Sequence, residues 1–75
     1  MIQELDSVVL TEDIPEHHLR RGDIGTVVLT HRSAGYEVEF VTLDGQTLAV
    51  ATLEPSQVRP VGEGEIAHVR AVEAA

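Results

Sequence analysis

The residues of this chain with chemistry to offer are four histidines, several close carboxylate pairs and three serines, and their spacing decides how much of that chemistry is usable. His17 and His18 are adjacent, and neighbouring side chains on an extended chain point apart, so the two do not converge on one metal ion. His31 and His68 stand alone, and no pair has the spacing of a helical zinc site. The reading is of solvated loop histidines, with no metal and no cofactor expected. The carboxylates fall as Glu12-Asp13, Glu37 with Glu39, and Glu63 with Glu65. General acid–base work needs one carboxyl desolvated and raised in pKa, which alternating solvent-facing strand positions do not provide. Ser7, Ser33 and Ser56 lack the sequence context of an activated nucleophile. No catalytic residue is assigned, and an enzyme acting alone is not expected. Arg21-Gly22-Asp23 reads as a turn rather than an adhesion signal.

The elements that must position these residues are short strands. Residues 5–10 are expected to form a first strand, and a long polar connection from Thr11 to Asp23 follows. Gly22-Asp23-Ile24-Gly25 reads as a tight turn feeding a strand at Val27–Thr30, with Gly25 expected at positive φ. Tyr36-Glu37-Val38-Glu39-Phe40 alternates strictly, so Tyr36, Val38 and Phe40 are expected in the core with the two glutamates in water. Asp44-Gly45 is a hairpin signal, because both residues tolerate positive φ. Thr47–Leu53 is a further strand, with Leu48 and Val50 expected on one face. Glu54-Pro55-Ser56-Gln57 suits a single 3₁₀ turn, and Val58–Val61 a closing strand with Pro60 at its edge or end. The order predicts an all-β fold: a five-stranded SH3-like barrel over residues 1–61, with a 3₁₀ turn before the last strand. Gly62-Glu63-Gly64 marks its boundary, and residues 62–75 form a C-terminal extension. In that extension Ile66, Val69 and Val72 recur at a three-residue spacing, which leaves a helical turn, an added strand and a docking tail all open. The last residues, Glu73-Ala74-Ala75, are expected to fray.

Composition bounds the partners. With 75 residues there is room for one domain and a small core. No cysteine is present, which excludes disulfides and thiolate zinc sites. The start Met1-Ile2-Gln3-Glu4 has no basic, apolar leader character, and no apolar run reaches membrane-spanning length, so the expectation is a cytoplasmic protein with no membrane contact. Thirteen acidic residues face five arginines and no lysine, for a net charge of −8. That balance repels phosphate backbones and favours basic protein partners. The Gly-Asp-x-Gly-x-Val pattern has the turn geometry of KOW motifs, but a nucleic-acid barrel also wants a basic stripe and stacking aromatics. Tyr36 and Phe40 are the only aromatic residues, and both are expected inward, so a proline-peptide groove is not built either.

Taken in order, Glu4-Leu5-Asp6, Val8 to His17, Leu19, Arg21 to Val28, Tyr36 to Phe40, Thr47-Leu48 and Val58-Arg59-Pro60 resemble the small bacterial family filed as domain of unknown function 4926, over about residues 4–61. The resemblance implies a compact SH3-like barrel and gene pairing of the toxin–antitoxin or immunity kind; it brings no catalytic residues. The expected function is that of a non-catalytic, acidic protein-interaction module, antitoxin- or immunity-like. Its contact surface is placed on the loop Thr11–Arg21, with His17, His18, Arg20 and Arg21, and on the tail, with Ile66, Val69 and Val72. The loop arginines are expected to be salt-bridged to Glu12, Asp13 and Glu16. The alternatives are a KOW-like nucleic-acid or ribosome-associated barrel and an accessory subunit of a larger enzyme. A homodimer is compatible with so small a core.

Overall fold

A computed structural model describes residues 1–32 and 34–72; Ser33 and the Glu73-Ala74-Ala75 end lie outside the described residues. Five antiparallel strands form one sheet: β1 (Ser7–Leu10), β2 (Ile24–His31), β3 (Gly35–Val41), β4 (Thr47–Leu53) and β5 (Val58–Pro60). Their order is β4-β3-β2-β1-β5, a meander whose last strand returns beside the first. Across a flat sheet, strands about 4.8 Å apart would keep β4 and β5 well separated. Instead Ala51 and Leu53 of β4 share one buried cluster with Val58 of β5 and with Val8, Leu10, Val27, Val38 and Phe40. The sheet is therefore curled around a single core.

The strand pattern follows the sequence closely in β3 and β4. Val38 and Phe40 are buried and Tyr36 packs against the cluster. Glu37 and Glu39 point away from the core yet are only half exposed, because each has a partner: His31 Nε2 lies 2.8 Å from Glu37 Oε2, and Thr47 Oγ1 donates to Glu39 Oε2 at 2.8 Å. Leu48 and Val50 do not share a face. A register shift beside Phe40 and Val41 brings Leu48 in against the core, while Val50 stays half exposed. At the β3–β4 turn Gly45 takes positive φ (96°) and Asp44 does not. The Gly45 N–H donates to the Thr42 carbonyl at 2.9 Å, closing a turn with glycine at its one left-handed position.

Several strand boundaries depart from the sequence reading, the starts of β1 and β2 by the most. Leu5 and Asp6 lie before β1, because the Asp6 carboxylate accepts the Gln3 N–H at 2.9 Å and closes a turn with Leu5 at φ 74°. β2 begins at Ile24, so Gly25 is a strand residue opposite Val8 and does not have positive φ. What requires glycine there is close approach. A Cβ on Gly25 would sit 2.6 Å from Val38 Cγ1 and 2.8 Å from the Phe40 ring. The expected conformation belongs instead to Gly22, at φ 93°, where the Asp23 N–H donates to the Arg20 carbonyl at 2.9 Å as in a type II turn.

The long connection is not wholly polar in its role. Ile14 and Leu19 are both buried and bridge one another, pinning the loop to the core on either side of a 3₁₀ turn at Pro15–His17. The second 3₁₀ turn, Pro55–Gln57, falls where the sequence places it, with Gln57 Oε1 accepting the Glu54 N–H at 2.8 Å. β5 ends at Pro60, at the edge of the sheet, so Val61 lies outside it. No helix among the described residues is long and apolar enough to cross a membrane.

Candidate functional site

The loop and the tail, the two segments the sequence singles out, meet. Residues 65–72 take neither helix nor strand; they run back over the sheet as an irregular strap. Two arginine–carboxylate clamps hold it. At its start Arg59, on β5, donates to both carboxylate oxygens of Glu65 at 2.8 and 2.7 Å, and the Gly62 N–H donates to Glu65 as well. Farther along, Arg70 Nε donates to Asp23 Oδ1 at 2.8 Å while its Nη2 reaches Asp23 Oδ2 and the His18 carbonyl, the last at 3.1 Å. Such forked pairs combine two charge-assisted bonds in one geometry.

The electrostatics follow from these contacts. Partial burial acts to raise the Asp23 pKa, but the Arg70 guanidinium and the Arg20 N–H outweigh it and hold the carboxyl below its ordinary value. At Glu65 the Arg59 fork and the Gly62 N–H draw the pKa down to about 2. Arg59 and Arg70 are both raised, each chiefly by its hydrogen-bonded carboxylate.

His17 is half-buried on the first 3₁₀ turn. His18 is exposed in the left-handed region (φ 59°), and its carbonyl, not its ring, takes part in the Arg70 contact. Arg20 and Arg21 are exposed, and among the described residues neither forms a salt bridge. The expected salt-bridged loop is replaced by carboxylates that cap backbone: the Arg20 N–H donates to Asp23 Oδ2 and the Arg21 N–H to Asp13 Oδ1, both at 2.8 Å. The acid side chains satisfy turn donors that would otherwise be unpaired, and the guanidinium groups are left to solvent. On the strap, Ile66 and Val69 point outward, 94% and 71% exposed, and Val72 is half-buried.

Between the strap and the β3–β4 turn lies an open groove of about 480 Å³, its lining including Leu19, Ile24, Phe40, Leu43 and Leu48 on the sheet side and Val69 on the strap. A second hollow of about 330 Å³ lies on the other side of Arg70, toward Val9 and Val61. Leu43, at the tip of the turn, is 89% exposed. The sequence reading missed Asp23, Arg70 and Leu43. Arg70 is the one cation of the tail and Leu43 an apolar residue inside a turn, and those were the available signals.

The family model described as a domain of unknown function (DUF4926) matches residues 4–60. The chain belongs to this family. The DUF4926 match takes in all five strands, the loop and Asp23; the strap and its Arg70 lie beyond the matched residues. Neither the curated proteins nor the solved structures hold a match to this chain.

Proposed function

We propose that this chain is a non-catalytic protein-interaction module, which takes up a basic protein partner over the groove between the strap and the β3–β4 turn. The observation that carries this reading is the groove itself: a concave apolar surface opens beside an 89% exposed Leu43 on a chain of net charge −8. Apolar contact supplies affinity at the centre, and the surrounding acidic field selects basic partners and speeds encounter. An antitoxin- or immunity-like role is the form of this reading in which the partner is a toxic enzyme with a basic surface. The negative charge and the inward placement of Phe40 speak against a nucleic-acid ligand.

The test is co-expression with the product of the neighbouring gene, followed by co-purification of the wild-type chain and of Leu43→Asp. The expected result is a stoichiometric complex and suppression of toxicity by the wild type, both lost in Leu43→Asp although its melting temperature is kept. A complex indifferent to Leu43 removes the groove from the contact surface, and a soluble RNA retained at low salt in place of a protein overturns the reading.

A further inference from the structure

Resting on that reading, we propose that the Asp23 carboxylate and the His18 carbonyl form an arginine-recognition site, that Arg70 of the strap is its intramolecular occupant, and that the partner presents an extended, arginine-bearing apolar segment which displaces the strap.

The acceptor side is built without the strap. The Arg20 N–H fixes Asp23 Oδ2 at 2.8 Å, and the Arg20–Asp23 turn fixes the backbone behind it. The left-handed conformation of His18 belongs to the loop, which Ile14 and Leu19 anchor in the core. Three acceptor atoms therefore stand ready for a guanidinium: Asp23 Oδ1, Asp23 Oδ2 and the His18 oxygen. This set suits a planar fork and not a lysine ammonium, which cannot make the paired contact.

The donor side is held loosely. Among the described residues the strap makes no backbone–backbone hydrogen bond to the sheet. Ile66 and Val69 are 94% and 71% exposed, only Val72 of the strap's large apolar residues is half-buried, and hollows remain on both sides of Arg70. A segment fixed chiefly by two forked ion pairs, with little apolar burial of its own, is a weak occupant of an apolar groove. An incoming chain that keeps the arginine and fills the groove with larger side chains makes the same polar contacts and buries more apolar surface. Its positive charge also matches a protein of net charge −8. All three acceptors lie within the family match and the donor outside it, so the matched module carries the site and the strap supplies the plug.

The probe is a synthetic peptide with the sequence of residues 62–72, titrated into the full-length chain and followed by ¹H–¹⁵N NMR at the Gly22, Asp23 and Ile24 amides. A tethered occupant competes at high effective concentration. The peptide is therefore expected to bind Arg70→Ala at least about tenfold more tightly than the wild type. The Asp23→Asn/Arg70→Ala chain, and a peptide with lysine in place of its arginine, are expected to show no shifts at those amides. Equal binding by the lysine peptide, or by the double variant, overturns the proposal, as does an Arg70→Ala chain that binds no better than wild type. Should Arg70→Ala fail to fold, Arg70→Lys carries the same comparison, since it keeps the charge and loses the fork. A peptide that fails here while partner capture still depends on Leu43 sinks arginine recognition alone and leaves the groove reading standing.

Discussion

Two glycines three residues apart are required for different reasons, and substitution separates them. Gly22 has positive φ with nothing within 4 Å of a built Cβ, so Gly22→Ala meets only a dihedral penalty, expected at about 1 kcal/mol. Gly25 has an ordinary strand conformation, but its Cβ would strike Val38, which is fully buried, and the Phe40 ring. Val38, the nearer neighbour, is enclosed in the core, so Gly25→Ala is expected to cost about 1–3 kcal/mol through overpacking, and Gly25→Val more. The distinguishing measurement is the pair of double variants with Val38→Ala. Relief of the strain at Gly25→Ala and none at Gly22→Ala is the expected outcome; equal additivity at both would remove the steric account. Sequence alone pointed to glycine at both positions but to one cause. The alternation Tyr36–Phe40 shows that Val38 and Phe40 face inward, yet nothing local to Gly25 shows that they pack over it.

At the scale of elements, what was legible was local. β3 needs only its two-residue period, and the Pro55 turn needs only a proline beside residues that cap a 3₁₀ turn. The strap was not legible because the contacts that place it join residues 47 apart in the chain, Arg70 and Asp23. Its apolar spacing left a helix open, but no helix forms, since Arg59 and Asp23 take up Glu65 and Arg70 at opposite ends and stretch the segment between them. Those clamps make the strap acid-sensitive, and the sign follows from the carboxylates. Both have folded pKa values below their ordinary ones, so the stabilisation is whole above the unfolded carboxylate range of about 4. It is lost as the pH falls through the folded values, down to about 2 for Glu65. The expected observation is that the Arg70 Nε–H and Gly62 amide signals shift toward disordered positions in acid while the Val38 amide stays protected from exchange. Loss of all three together would mean that the strap unfolds only with the sheet. In the same experiment Arg59→Ala is expected to free the Gly62 amide at neutral pH and leave the melting temperature unchanged, because that pair is exposed to solvent.

For the whole molecule the deciding quantity is charge, and it sets opposing effects against one another at the loop arginines. Two of the five arginines, Arg59 and Arg70, are neutralised by carboxylates within the fold. Encounter with the proposed basic partner would then be driven by the remaining negative field, so the association rate is expected to fall by about tenfold or more as salt rises from about 0.01 M to 0.15 M and the Debye length shrinks from about 30 to 8 Å. The guanidinium groups of Arg20 and Arg21 are exposed, and their backbone N–H groups carry the loop's hydrogen bonds. Arg20→Glu with Arg21→Glu is therefore expected to change stability by less than about 0.5 kcal/mol. Charge reversal makes the chain more negative, which raises the association rate for a basic partner. If the two side chains touch that partner, the same change must raise the dissociation rate more, and weaker capture results despite faster encounter. Stopped-flow association and dissociation at both salt concentrations separate the two contributions. A variant that associates faster and dissociates at the wild-type rate would show that Arg20 and Arg21 stand outside the contact.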